Sequence, residues 1–141
     1  MKQIWLVGLL IVLVAVGFFW FQGQAQTVEV YFNQSLPTDI KQMPVERRVG
    51  KNLAEANLIK ATLDKLIQGP TSAETTSGLM TVINPATKVQ AVELDSAGGV
   101  MVDFSTELND NVAGSATVLA IRNQIEKTVL QFEFVKVLWL T

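Results

Sequence analysis

The chain has 141 residues, no cysteine and no histidine, and its 11 basic and 13 acidic side chains give a net charge of −2. The lack of cysteine excludes disulfides, thiolate zinc sites, cysteine nucleophiles and cysteine-linked lipid anchors, and the lack of histidine removes the commonest general base. The charge balance offers no basic face for nucleic acid. We therefore expect no enzymatic activity, no catalytic residues, no metal, no cofactor and no nucleic-acid partner.

Apolar residues are concentrated at the N-terminus, where 18 of the first 25 positions are apolar. Residues 4–21 carry no charge and would span roughly 27 Å as a helix, close to the hydrocarbon thickness of a bilayer. The pattern predicts a membrane anchor at residues 4–21, after a cytoplasmic stretch at residues 1–3 and before a linker at residues 22–27. Aromatic side chains would lie at both headgroup regions, namely those of Trp5, Phe18, Phe19, Trp20 and Phe21.

Charge sets the expected orientation of this anchor. Lys2 and the N-terminal amine lie on the short side, so the positive-inside tendency keeps the N-terminus in the cytoplasm. Residues 28–141 would then form an extracytoplasmic domain. The alternative is a secreted protein whose signal peptide is cleaved at the small-x-small sequence Gly23-Gln24-Ala25. The apolar run exceeds the usual length of the apolar h-region of a signal peptide, about 7 to 15 residues, which favours the anchor.

The remaining sequence alternates between strand and helix patterns. Period-two alternation or continuous apolar runs predict strands at residues 27–32, 44–49, 88–95, 100–105 and 135–140. One helix should begin at the capping-box sequence Asn52-Leu53-Ala54-Glu55 and stop at Gly69-Pro70, before a loop at residues 71–78. A second should run from residue 114 or 115 to residue 132. This order indicates an α+β fold, with two helices packed on one face of a mixed four- to five-stranded sheet, preceded by one transmembrane helix.

Six short motifs, in order along the chain, resemble those of the GerMN domain family, named after a sporulation and germination protein. They are Pro44-Val45-Glu46-Arg47-Arg48-Val49, Gly69-Pro70-Thr71, Ile83-Asn84-Pro85, Val102-Asp103-Phe104-Ser105, Gly114-Ser115, and Ala120-Ile121-Arg122 leading to Gln131-Phe132. The resemblance implies a membrane-tethered, extracytoplasmic and non-catalytic module. In spore formers such domains serve envelope assemblies across two membranes, and related lipoproteins accompany sensor kinases. The chain departs from the family in lacking a lipobox cysteine and the glycine-containing turn that commonly follows the last strand.

Two carboxylates on the predicted hairpin form the strongest candidate site. A three-residue connection would pair Ser96 with Val100 and place Glu93 directly opposite Asp103, where like charges repel. A cation site would need about six oxygens, and no third acid is nearby in the sequence. We therefore expect a structural ion pair with Arg47 or Arg48 from a neighbouring strand.

Arg122 falls within the apolar stripe of the second helix, near Val118, Ile121 and Ile125 on a helical wheel. A charged group there must reach the rim or meet an acid. A structural ion pair is the favoured interpretation, and a partner-binding role is the alternative.

The last predicted strand is apolar on both faces, with Val137 and Trp139 on one side and Leu138 and Leu140 on the other. A strand covered on both faces has this pattern, and so does a strand with one face open to a partner. The second interpretation makes Tyr31, Leu138, Trp139 and Leu140 a candidate interaction surface.

Two functional hypotheses follow. The first is a tethered module that contacts envelope proteins or copies of itself, bound to membrane lipid through its N-terminal helix. The alternative is a ligand-binding or sensory-accessory module for a cell-wall fragment or small solute. The first needs an exposed apolar patch or free sheet edge, and the second needs a pocket with converging polar groups.

Overall fold

The structure is a computed structural model that describes residue 8 and residues 11–16, 25–35 and 40–141. Residues 11–16 are helical and exposed to solvent. No helix within the described ranges is long and apolar enough to cross a membrane. Most of the expected anchor, including Trp5, Phe18, Phe19, Trp20 and Phe21, lies outside the described residues.

Six strands within the described residues form two three-stranded sheets rather than the single sheet expected. The first sheet has the order β2-β1-β3 and the second the order β4-β5-β6. The strands are β1 (Ala25–Ser35), β2 (Ile40–Gly50), β3 (Leu79–Met80), β4 (Val89–Leu94), β5 (Gly99–Phe104) and β6 (Val137–Leu140). All neighbours pair antiparallel except β5 and β6, which are parallel. The α+β class is therefore confirmed, and the prediction of one sheet is wrong.

Three α-helices and a 3-10 turn complete the described domain. They are α1 (Glu55–Ile67), α2 (Ser72–Thr76), the 3-10 turn (Thr106–Asn109) and α3 (Ser115–Val129). Helix α2 occupies a stretch predicted to be loop. It is held by a capping box in which Thr71 Oγ1 accepts the Glu74 N–H at 3.3 Å and Glu74 Oε2 accepts the Thr71 N–H at 2.8 Å.

Helix α1 begins later than its sequence pattern predicts. Asn52 lies in a turn with a φ of 58°, and the N-cap residue is Ala54, which makes no side-chain capping bond. The predicted capping box at Asn52 is therefore wrong. The helix stops where expected, because Gly69 adopts a φ of +78° and donates its N–H to Leu66 O at 3.0 Å.

Strand β1 begins inside the predicted linker. Its first residue, Ala25, pairs with Gly50, and Gln26 Nε2 donates to Gly50 O at 3.0 Å. Because β2 continues to Gly50, Ala25 and Gln26 have partners in the ladder, and β1 extends two residues before Thr27. Residues 25–27 therefore belong to the folded domain.

The core lies between the two sheets and the two long helices. Helix α1 packs against β1, β2 and β4 and therefore bridges both sheets, and α3 packs against α1 and β1. Each buried aliphatic or aromatic side chain contributes about 1.5 to 3 kcal/mol through removal from water. The side chains with almost no exposure include Val30, Phe32, Ile59, Leu63, Leu66, Val100, Val102, Ile125 and Val129.

A polar seam joins the C-terminal helix region to one edge of β1. Thr128 Oγ1 accepts the Tyr31 N–H at 3.1 Å, and Gln124 Nε2 donates to Tyr31 O at 3.1 Å. One turn further on, Gln131 accepts the Glu29 N–H at 2.8 Å and donates to Glu29 O at 2.6 Å. These side chains bond to β1 as a neighbouring strand would, which satisfies backbone groups that burial would otherwise leave unpaired.

Gln124 is the centre of this seam and is fully buried. Besides its bond to β1, its Oε1 accepts from Asn33 Nδ2 at 3.1 Å and from the Val82 N–H at 3.4 Å. Its Nε2 also donates to Thr81 Oγ1 at 3.3 Å. One amide group therefore ties together β1, the segment after β3 and helix α3.

Candidate functional site

The predicted opposition of Glu93 and Asp103 is wrong by two residues of register. Glu93 pairs with Met101, and Asp103 pairs with Ala91. The cause is the hairpin turn, in which Asp95 Oδ1 accepts the N–H groups at positions 97 and 99, at 2.7 and 2.8 Å. This moves the three-residue turn one position toward the N-terminus, so that Leu94 pairs with Val100. The two carboxylates are therefore diagonal neighbours, and the described residues contain no group of three acids able to hold a metal ion.

Arg47 does not reach these carboxylates, because β2 belongs to the other sheet. Its guanidinium instead pairs with Glu74, with Nη1 to Oε1 at 2.9 Å and Nη2 to Oε2 at 2.6 Å. It also lies 5.5 Å from the centre of the Phe32 ring. The neighbouring Arg48 is exposed and pairs with Thr27 in the β1–β2 ladder.

The Arg47 hydrogen bonds lower the pKa of Glu74 from 4.5 to about 2. A carboxyl with a depressed folded pKa stabilises the fold fully above its unfolded pKa and loses that contribution as the pH falls through the folded value. The ion pair should therefore stabilise the domain above about pH 4.5 and progressively less down to about pH 2.

We expect Arg47→Met to lower the free energy of unfolding at pH 7 on the order of 1 to 2 kcal/mol, after allowance for solvent screening. The difference from the parent chain should shrink between about pH 4.5 and pH 2, measured by urea unfolding across this range. Lys60→Met is the matched control, because the Lys60–Asp64 pair is nearly half exposed and 3.2 Å long. A pH-independent loss in Arg47→Met would contradict the assignment.

Arg122 lies beside the buried stripe of α3 rather than within it. Its side chain is 62% exposed, and Nε donates to Glu126 Oε1 at 2.6 Å. The prediction erred because the stripe is centred on the polar seam, with Gln124 and Thr128 buried, whereas Val118 is exposed. The two Nη groups of Arg122 make no hydrogen bond to any described residue.

The four residues of the predicted interaction surface do not lie together. Tyr31 is in the first sheet, half-buried, and its hydroxyl donates to Glu29 Oε2 at 2.9 Å. Burial, with the added effect of Glu29, raises the pKa of the phenol. Leu138 and Leu140 are half-buried beside Val100 and Val102, and Trp139 is 50% exposed on the other face.

A concave site lies between the C-terminal strand, the 3-10 turn and the first turns of α3. We call it the β6 groove, and its volume is about 710 Å³. Its polar groups come from Ser105, Thr106, Asn109, Arg122 and Thr141. Its apolar lining is contributed mainly by Leu108, Val112, Val118, Ile121, Leu138 and Leu140.

Strand β6 forms one wall of the groove and has a free edge. Thr141 donates its N–H to Val102 O at 3.0 Å and accepts the Phe104 N–H at 2.9 Å, so its peptide groups face β5. Because peptide groups alternate in direction along a strand, those of Leu138 and Leu140 point away from β5. Within the part of the chain that the structure describes, no strand pairs with that side.

In a comparison with protein-family models, residues 29–141 match Germane, the family described as "Sporulation and spore germination". The chain belongs to this family. The match covers both sheets and all three helices of the Germane domain, and it confirms the resemblance to GerMN domains drawn from the sequence motifs.

Solved structures share the fold of this Germane domain. The tandem GerMN domains of the sporulation protein GerM from Bacillus subtilis match with a TM-score of 0.70 and 21% identity, over 84% of this chain and 39% of that one. The first GerMN domain of the same protein gives 0.56 and 19%, over 82% and 80%. A lipoprotein from Clostridium perfringens, described as putative, gives 0.53 and 18%, over 82% and 73%. A comparison with curated proteins finds no match.

Sequence reasoning identified one wall of the groove in the Germane domain and missed the other. Leu138, Trp139 and Leu140 were candidates because β6 is apolar on both faces. Val118 was assigned to the core stripe of α3 although it is 55% exposed. The adjacent Leu119, which is also exposed, was a usable signal, because two neighbouring apolar residues cannot both lie at the centre of one buried helical face.

Proposed function

We propose that this Germane domain is a membrane-tethered, extracytoplasmic module that makes protein contacts in the cell envelope without chemistry of its own. The observation that carries the proposal is the β6 groove, an apolar surface bordered by a free strand edge. An exposed apolar patch of this kind is typical of interaction sites. A catalytic site would instead need a nucleophile or acid placed beside a base.

The proposed tether is the charge-free stretch at residues 4–21. Its described part, residue 8 and residues 11–16, is helical, and these residues are exposed, as lipid-facing residues would be. Because β1 begins at Ala25, only residues 22–24 would separate the anchor from the domain, or about 10 Å. The domain would then lie directly against the extracytoplasmic surface of the membrane that holds the anchor.

The tether can be tested by membrane fractionation and by the intact mass of the mature chain. We expect the full-length mass in the membrane fraction after carbonate extraction. A soluble product starting at Gln26 would contradict the anchor and support the cleaved signal peptide.

The relatives are consistent with an envelope location. One is named a sporulation protein and another a lipoprotein. This likeness supports the proposal that the folded domain lies outside the cytoplasm.

The contact role can be tested by site-specific photo-crosslinking in native membranes. A photoreactive phenylalanine analogue at Val118, in the groove, should capture a defined envelope protein or a second copy of the chain. The same analogue at Lys60, on the solvent face of α1, is the control and should capture neither. Tight binding of a cell-wall fragment or small solute, with no protein captured from position 118, would favour the ligand-binding alternative.

A further inference from the structure

We propose that the β6 groove binds an extended segment of another protein, which adds as a strand to the edge of β6. The segment would direct alternate apolar side chains into the groove and place a carboxylate against Arg122. The inference rests on the contact function proposed above and specifies its site and the chemistry of the partner.

The backbone of β6 favours an extended occupant over a helix or a compact ligand. The outward peptide groups of Leu138 and Leu140 offer donors and acceptors at the spacing of a strand ladder. Strand addition satisfies such groups in pairs, and side chains at every second position of the added strand enter neighbouring pockets. Residues 137–140 of β6 include no proline and no lysine, and Lys136, just before the strand, donates to Glu133 O at 2.6 Å.

The surface beside this edge is apolar enough to hold side chains of the added strand. Val118 is 55% exposed, although it lies in the groove beside Ile121 and Leu108. Its burial by a partner would remove apolar surface from water, which favours binding. Alternate side chains of a paired strand would point toward this wall.

The charge of the groove then restricts the composition of the segment that can bind. Among the described residues that line the groove, Arg122 has the only charged side chain. Only its Nε is engaged by Glu126, so both Nη groups can bind a carboxylate. Guanidinium pairs with carboxylate in a bidentate geometry, which sets register as well as affinity. The geometry therefore fits an apolar segment interrupted by Asp or Glu, and disfavours a basic one.

The test uses the full chain in mild detergent and a fluorescein-labelled peptide in which valine and threonine alternate around one aspartate. A matched peptide carries lysine in place of the aspartate. Fluorescence anisotropy should show saturable binding of the aspartate peptide and weaker binding of the lysine peptide. Hydrogen exchange at the amides of Leu138 and Leu140 should slow when the aspartate peptide binds.

Two variants test the charge contact. Arg122→Gln should weaken binding of the aspartate peptide about fivefold, the effect of losing one exposed charge pair. Arg122→Glu should reverse the preference between the two peptides. Lys127→Glu is the matched control, since it alters an exposed cation of the same helix outside the groove and should leave binding unchanged.

The outcomes separate this inference from the function on which it rests. If position 118 captures a protein but neither peptide slows exchange at Leu138 and Leu140, strand addition is overturned and the contact function remains. If position 118 captures nothing and no peptide binds, both fail. If position 118 captures only a second copy, and wild-type chain self-associates without competition from the aspartate peptide, the partner assignment is overturned.

Discussion

Replacement of Gln124 by leucine is expected to destabilise the domain by about 3 to 5 kcal/mol. The leucine would fit the buried position but would leave Tyr31 O and Asn33 Nδ2 without the partners they have at 3.1 Å in each case. Each buried polar group left unsatisfied costs about 1 to 3 kcal/mol. Urea unfolding at pH 7, followed by circular dichroism, measures the loss.

The isosteric variant Gln124→Glu separates hydrogen bonding from packing. A carboxylate cannot donate to Tyr31 O, whereas the protonated acid can, so burial in this seam should raise the pKa of the new carboxyl. The variant should approach the parent chain below the unfolded pKa, about 4.3, and lose stability as the pH rises toward the folded value.

The control for both variants is Lys127→Leu, which exchanges a polar for an apolar side chain at an exposed position of the same helix. It should change stability by less than about 0.5 kcal/mol. A Gln124→Leu protein as stable as the parent would show that the seam contributes nothing.

Gly98→Ala should cost about 3 to 4 kcal/mol, because two penalties combine at this position. Gly98 has a φ of +86°, which an alanine adopts only with strain. A Cβ would also lie 2.7 Å from Phe134 O, a backbone atom of the segment leading into β6. That segment is held in place, since Lys136 donates its N–H to Gly98 O at 2.7 Å.

Gly78→Ala provides the matched control for the backbone conformation. Its φ is +91°, and no atom lies within 4 Å of the position of its Cβ. It should therefore lose only the conformational part, about 1 to 2 kcal/mol. Equal losses in the two variants, measured by urea unfolding, would show that Phe134 and Lys136 move away without cost.

The periodic parts of the fold were predictable, because the α-helical and strand repeats report directly which side faces the core. The helix stop at Gly69 and the strand face that places Val92 with Val102 followed from local rules. The α2 helix could also have been found, since Thr71 and Glu74 have the spacing of a capping box. This capping box does more than start α2, because Glu74 also forms the ion pair with Arg47.

The seam was not predictable from hydrophobic periodicity. Gln124 and Thr128 are polar, so a pattern of apolar residues places them outside the buried stripe and rotates the helix toward Val118. With the helix rotated in this way, Arg122 falls within the predicted apolar stripe, although its side chain is 62% exposed in the structure. Gln124 and Thr128 are buried because they bond to the edge of β1 that no described strand covers at Tyr31. This edge lies about 90 residues away in sequence, where a local pattern cannot detect it.

The candidate site was also only partly predictable, because it depends on contacts between residues that are distant in sequence. The apolar residues of β6 indicated one wall of the groove, but Tyr31 was added to them because both strands were assigned to one sheet. The division into two sheets depends on which strands pair, and a single sequence does not specify it. The register at Asp103 likewise depended on hydrogen bonds made by the Asp95 side chain.

The seam between β1 and the C-terminal helix region also constrains the order of folding. The strand that follows the proposed anchor is the first to be synthesised, yet Glu29 and Tyr31 obtain their partners from positions 124, 128 and 131. Contacts of such long sequence separation form slowly, because a long loop must close before they give any stabilisation. The first strand must therefore remain incomplete until nearly the whole domain has emerged. During that interval this edge, which faces away from β2, would be open to intermolecular strand pairing unless a chaperone covered it.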